Sequence, residues 1–447
     1  MHTLDQLRSG ALMGCTRLDL CAGLTELPAE VFELADTLEV LNLSGNALSN
    51  LPHELPRLHR LKVLFCSGNR FTRVPEVVGA CSSLRMVGFK SNQLTALPAD
   101  ALPPQLRWLI LTDNQLTGLP AALGDCTGLE KLALAGNRLS ALPERMAACQ
   151  QLGLVRISAN QFERLPPWLL ALPRLAWLAA GGNPWNAERE AAVLSGNQSA
   201  HVLPSVEWAA LELGEVLGQG ASGVIQAALH RGAGPGCDDR PPQPLAVKLF
   251  KGEVTSDGWP HSEWAASLAV AQHAHLISAQ GRLVGHPQGV QGLVMPRIGA
   301  EFQCMAAPPS LDSCTRDVYA PQQRFTPEQV LRMARGVADA AAHLHAHGVS
   351  HGDLYAHNIL WNPHGQVWLG DFGAATLLPQ GLDAAARRAI EAVEVRAFGL
   401  LLEEWLERCA DAPPLVRQIA QGCVNPEVGE RPRFREIQSA LGSAPRH

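Results

Sequence analysis

The chain has 447 residues, a formal net charge of −6 and 47% apolar residues, more than one ordinary domain holds and enough for at least two buried cores. Disordered, collagen-like and disulfide-scaffold classes are excluded, and a negative net charge without a basic tract argues against a reader of nucleic-acid backbones. No membrane segment is evident. The start, MHTLDQLRSG, lacks the basic region and apolar core of a secretory signal, so a cytoplasmic protein with reduced cysteines is expected. The 11 cysteines show no paired CxxC spacing, so a metal site is not expected among them.

Leucine is unevenly spread: of 67, 41 fall in residues 1–200. Two differently built halves follow. Only five lysines occur (Lys62, Lys90, Lys131, Lys248, Lys251) and only two tyrosines, Tyr319 and Tyr355, so either type at a motif position carries weight.

The first half repeats. LNLSGNALSNLP, LFCSGNRFTRVP, VGFKSNQLTALP, LILTDNQLTGLP, LALAGNRLSALP and VRISANQFERLP place Asn46, Asn69, Asn92, Asn114, Asn137 and Asn160 at steps of 22 or 23 residues, and Asn183 of GGNPW continues the series. One step back, Gly23 in LDLCAGLTELP marks an eighth, degenerate copy. In each L-x-L the leucines point inward, the alternating residues face the other side, and the asparagine satisfies backbone groups where the strand turns away. The series resembles the leucine-rich repeat family. That implies a solenoid whose parallel strands, ~4.8 Å apart, form a curved sheet roughly 35–40 Å long. Cys81, Cys126 and Cys149 sit at equivalent places and read as small buried hydrophobes. The concave positions form an apolar stripe: Val63, Phe65, Met86, Gly88, Trp108, Ile110, Leu154 and Trp177. Such a stripe reads either as a protein contact, with Phe65, Met86, Trp108, Ile110 and Trp177 meeting a partner, or as packing against the chain's own second half. After Asn183 the leucine period is lost, giving a repeat domain over 1–194 with a carboxy-terminal cap and a linker over 195–210.

In the second half, LGQGASGVIQAALH sets Gly218, Gly220 and Gly223 at G-x-G-x-x-G spacing, followed by Val224. Alone this is weak, because dinucleotide folds share it. Here strand character continues past the third glycine, a Gly/Pro-rich loop follows, and LAVKLF carries Lys248. HGDLYAHNIL then places Asp353 and Asn358 five apart, and DFG supplies Asp371. In this order the motifs resemble the eukaryotic-type protein kinase fold, over residues 211–441 with a tail at 442–447. The closing CVNPEVGERPRFREIQSAL resembles that of tyrosine-kinase-like members. The expected fold class is thus multidomain, a leucine-rich repeat solenoid followed by a bilobal α+β kinase fold. The composition suggests a bacterial-type protein.

The resemblance implies ATP and Mg²⁺. It implies that Lys248 holds the α/β-phosphates, with Glu263 of HSEWAASLAVAQHAHLI as its partner. Asp353 orients and deprotonates the attacking hydroxyl, and Asn358 and Asp371 bind Mg²⁺. The ATP contacts it implies are Leu217, Gly218, Gly220, Gly223, Val224, Ala246, Lys248, Met295 and Ile298, with Met295 and Pro296 at the gatekeeper and hinge. A long helix is signalled by Thr326 as N-cap, Pro327 and Gln329 at the capping-box position, ending at Gly348. His343, His345 and His347 alternate along it, so they do not share one face and read as solvated or locally bonded.

Three departures from the kinase pattern stand out. HRD is HGD, with Gly352 replacing the arginine, and Thr376 is the single hydroxyl between Asp371 and Glu394. Tyr355 stands where serine/threonine kinases carry a lysine, and His357 where tyrosine kinases carry an arginine. No APE triplet follows; Glu391 is the nearest substitute partner for Arg431. The expectation is a serine/threonine protein kinase of non-RD type, with slow turnover open, whose repeats bind a protein partner or substrate. A nucleotide-binding pseudokinase scaffold and a small-molecule phosphotransferase are the alternatives.

Overall fold

The structure, a computed structural model, describes residues 1–196, 203–220, 222–231, 242–252 and 254–443. The chain divides into two compact units, Met1–Leu175 and Ala176–His447. The expected linker lies partly outside the described residues, at 197–202, as does most of the Gly/Pro-rich loop, at 232–241.

The first unit holds seven three-residue strands paired in parallel: Arg17–Asp19, Val40–Asn42, Val63–Phe65, Met86–Gly88, Trp108–Ile110, Lys131–Ala133 and Leu154–Arg156. The middle residue of each, from Leu18 through Leu41, Leu64, Val87, Leu109 and Leu132 to Val155, is at most 1% exposed. Most returning segments tighten into 3₁₀ turns entered by a proline, as at Pro75, Pro98, Pro120 and Pro143, whose ring fixes the backbone angle before the turn. The asparagines do what the sequence assigns them. The Asn137 carboxamide oxygen accepts from Leu116 N–H at 3.0 Å in the preceding repeat, while its nitrogen donates to the Leu111 and Leu134 carbonyls. Asn69, Asn114 and Asn160 repeat the pattern. Cys81, Cys126 and Cys149 are buried, and burial pushes the Cys81 and Cys149 thiols up to about 11.

The stripe, expected either to meet a partner or to pack within the chain, is mostly buried. Met86 is 5% and Trp108 6% exposed, and only Phe65 and Ile110 keep partial exposure. Met86 lies in register between Val63 and Trp108, the Lys131 ammonium sits 4.6 Å from the Trp108 ring centre, and the Phe65 ring covers Gly88.

The second unit opens with strand Trp177–Ala179 and helix Pro184–Leu194. A six-stranded sheet follows, ordered Leu211–Gln219, Gly223–His230, Gln243–Phe250, Gly292–Pro296, Gly281–Val284 and Ser205–Glu207. The last strand comes from the expected linker and runs parallel to Gly281–Val284. It is recruited because Val206 and Trp208 pack against the apolar sheet face made by Val247, Leu283 and Val294. Beyond the sheet lie helices Pro260–Ala269, Pro327–Ala346, Ala384–Leu406, Pro414–Cys423 and Phe434–Gly442. Thr326 and Gln329 form the expected capping box. The histidines depart from expectation: the His343 and His347 rings lie 4.2 Å apart, tilted by 39°, and His345 is half-buried, bonded to Glu394. No described helix is long and apolar enough to cross a membrane.

Candidate active site

The glycine motif forms the turn between Leu211–Gln219 and Gly223–His230. Gly220 N–H donates to the Gly223 carbonyl at 3.0 Å, and the Lys251 ammonium donates to the Gly220 carbonyl at 2.9 Å. Side chains at Gly218 and Gly220 would meet only open space, whereas a Cβ at Gly223 would lie 2.5 Å from the Leu249 carbonyl oxygen. Only the third glycine is therefore demanded by the chain's own packing. The first two leave backbone uncovered toward the cavity below.

That cavity, about 360 Å³, is lined by Gly218, Gly220, Gly223, Lys248, Met295 and Asp371 among the expected residues. Leu217 is 46% exposed, and neither it, Val224, Ala246 nor Ile298 lines the cavity. For Val224 the register gives the reason: it pairs with Leu249, while Ile225 pairs with Lys248 and shares its face. Ile225 is the residue the sequence reading should have chosen, and strand alternation counted from Lys248 would have found it. Ala246 does share the Lys248 face but is buried in register with Met295. Ile277, Leu293 and Phe372 complete the apolar wall.

Lys248 and Glu263 form the expected ion pair, their side chains 10% and 4% exposed. Burial pushes the Glu263 carboxyl upward against the pull of Lys248. Asp371 is one of the few non-glycine residues in the left-handed region, at φ 56°, a strained conformation that occurs at functional sites. Its Oδ1 accepts from Gly373 N–H at 3.0 Å. A Cβ at Gly373 would lie 3.1 Å from Asp371 Oδ1 and 4.0 Å from Glu263 Oε2, so both carboxyls border one point of the cleft.

The catalytic-loop pair is also joined: Asn358 Nδ2 donates to Asp353 Oδ2 at 2.8 Å and to the Asp353 carbonyl at 2.9 Å. With the nitrogen so committed, Asn358 Oδ1 is the atom that can ligate a cation. Beside them, His357 Nδ1 meets Asp317 Oδ1 at 2.7 Å, and its Nε2 lies 3.9 Å from Asp353 Oδ2. Burial works against the imidazolium, but Asp317 and then Asp353 hold His357 above its ordinary value.

Gly352 has φ 73°, and a Cβ there would lie 2.5 Å from the Ala374 carbonyl oxygen and 2.7 Å from that of Leu178. Its N–H donates to Glu394; burial is the largest influence on that carboxyl and pushes it upward, but His345, His351 and the Gly352 N–H together hold it below its usual range. No arginine fits at that position. Tyr355 is 4% exposed and stacks on Trp177, so it lies in packing rather than in the place of a phosphate-binding lysine. Trp177 in turn leaves the expected partner surface: at 3% exposure it is a core residue of this unit. Arg431 is buried, donating to the Ala392 and Asn425 carbonyls, while Glu391 accepts from Phe434 N–H.

Comparison with known proteins agrees with this geometry. The family described as protein tyrosine and serine/threonine kinase matches residues 211–396, and leucine-rich repeat families match residues 82–139 and 37–58. The chain joins leucine-rich repeats to a protein kinase domain. Among curated proteins, the kinase domain is 27% identical over 186 residues to the serine/threonine-protein kinase mos of Xenopus laevis, covering 40% of this chain and 46% of that protein. It is 27% identical over 173 residues to a putative cyclin-dependent kinase F-2 of Oryza sativa, covering 37% and 47%. A phosphorylase b kinase gamma catalytic chain of Homo sapiens is 24% identical over 168 residues, covering 37% and 38%. The chain thus spans less than half the length of these relatives.

Proposed function

We propose that the chain transfers the γ-phosphate of ATP to serine or threonine hydroxyls of a protein, with the repeats contributing partner binding. The observation that carries this reading is the convergence of three polar devices on one cleft, the glycine turn, the buried Lys248–Glu263 pair and Asp371, with the Asp353–Asn358 pair tied to the cleft wall where Gly370 N–H donates to the Asn358 carbonyl at 3.0 Å. Phosphoryl transfer is mainly positioning and charge stabilisation, and these groups supply both. Backbone N–H groups of the turn cover the phosphates, Lys248 is aimed by Glu263, and Asp353 receives the hydroxyl proton.

The donor set fits Mg²⁺, which prefers hard oxygen ligands: Asp371 offers a carboxylate at the cavity wall and Asn358 a carboxamide oxygen. When bound, Mg²⁺ would neutralise phosphate charge. The serine/threonine assignment follows the relatives and the absence of the tyrosine-kinase arginine, since His357 holds that position. Without a lysine at Tyr355 the loop has one preorganised cation fewer, and turnover is expected to be slow by on the order of 100-fold.

Asp353→Asn tests the assignment. Phosphate transfer should fall by on the order of 10²-fold or more while nucleotide affinity stays unchanged. Equal turnover in both proteins would contradict it.

A further inference from the structure

The segment Ala176–Leu194 carries the last repeat motif, yet it belongs to the same compact unit as the kinase domain. Its contacts fall on three parts that must be in place for phosphoryl transfer. On the catalytic loop, the Trp177 ring lies on Tyr355 with centroids 4.3 Å apart and planes 6° from parallel, and Trp177 Nε1–H donates to the Leu354 carbonyl at 3.2 Å. These flank Asp353 on its carboxy-terminal side. On its other side, the Leu178 carbonyl closes against Gly352.

On the segment after DFG, Ala180 N–H donates to Thr376 Oγ1 at 3.0 Å, Asn186 to the Leu377 carbonyl at 3.2 Å and Arg189 to the Leu378 carbonyl at 2.9 Å. On helix Pro260–Ala269, Ser262 Oγ–H donates to Glu190 Oε2 at 3.2 Å. Glu190 is 5% exposed, burial pushes its carboxyl upward, and it also receives Gly182 N–H and Asn186 Nδ2. A buried carboxylate with three donors is a rigid anchor, because losing any of them costs desolvation without return. The residue next to Ser262 is Glu263, the partner of Lys248.

We propose that Ala176–Leu194 is a built-in positioning element for catalysis, with Trp177 as the residue that sets the catalytic loop through Tyr355. Many kinases order these parts by phosphorylating the activation segment onto an arginine. Here the arginine position is a glycine covered by the Leu178 carbonyl, and Thr376, the one hydroxyl of that segment, is 3% exposed and bonded to Ala180. The repeat-derived segment takes over that role permanently. Trp177 is a positioning residue, not a catalytic one, since it acts on Asp353 through the loop. The catalytic consequence rests on the kinase reading above; the ordering of the loop does not.

The test uses the full chain with Trp177→Leu, which keeps an apolar side chain but loses both the stack and the Nε1 bond, and Trp177→Phe, which keeps the stack. Amide exchange over residues 351–358, nucleotide affinity and kcat are measured for each. Trp177→Leu is expected to speed exchange in that loop and lower kcat on the order of 10–100-fold, with nucleotide affinity within about 2-fold of wild type, because a misplacement near 1 Å costs about that much. Trp177→Phe should restore most of both. Unchanged loop exchange in Trp177→Leu overturns the proposal. So does a matching loss of nucleotide affinity in both variants, the mark of a general fold defect. A wild-type chain without phosphate transfer, but with faster loop exchange in Trp177→Leu, would refute the kinase reading and leave the positioning claim upheld.

Discussion

The repeats and the kinase domain both bury polar side chains, and they use them in opposite ways. In the first unit the buried asparagines spend every hydrogen bond on nearby backbone: Asn137 joins Leu111, Leu116 and Leu134 and reaches nothing else polar in these bonds. In the second, Lys248, Glu263, Glu190 and Glu394 are charged groups that join separate elements. A buried group whose bonds are all local maintains a scaffold; buried charges facing each other beside a cavity hold geometry for chemistry.

Positive-φ glycines sharpen the contrast. Gly352→Arg, which would restore the arginine common in kinases, must take a left-handed backbone and displace two carbonyls; a loss above ~3 kcal/mol is expected, seen as a lowered urea midpoint. A variant as stable as wild type would break the account of that loop. Lys248→Ala should reduce phosphate transfer on the order of 100-fold in a steady-state assay. Asn137→Ala leaves the Leu116 N–H without its acceptor and takes one of two asparagine donors from each of the Leu111 and Leu134 carbonyls, and should cost about 1–3 kcal/mol in denaturant unfolding, with kcat unchanged. If it instead slowed transfer without loss of stability, scaffold and chemistry would not be separable as argued. Gly68→Ala in the repeats has φ 62° but nothing nearer than 3.7 Å to its new methyl, so it should cost only about 1–2 kcal/mol from backbone strain. Ser262→Ala is the mildest, with about 1 kcal/mol lost on unfolding and a modest fall in kcat.

The difference also explains what could be read from the sequence. The repeats were legible because each asparagine bond reaches no farther than the neighbouring repeat, so Asn spacing alone specifies the ladder. The cleft was legible because Lys248, Asp353, Asn358 and Asp371 each sit in a short motif. Contacts of long separation were not: Trp177 and the Leu354 carbonyl lie 177 positions apart, and nothing in either local pattern announces the other. Trp177 therefore read as one more residue of the concave stripe, and Tyr355 as a missing lysine, when each accounts for the other. Glycine spacing points to Val224, whereas the pairing with Lys248 puts Ile225 on the cavity face. The strand Ser205–Glu207 was hidden in a linker because its sequence is too short to show a period, and only Val206 and Trp208 packing on the sheet defines it.

The central claim, an active serine/threonine kinase assembled in the second unit, is tested most directly by incubating the purified full chain with a protein substrate mixture, labelled ATP and Mg²⁺, followed by phosphoamino-acid analysis. The account predicts label on phosphoserine or phosphothreonine in wild type and its loss in Asp353→Asn. Label on phosphotyrosine alone, or none in a chain that still binds nucleotide, would contradict it.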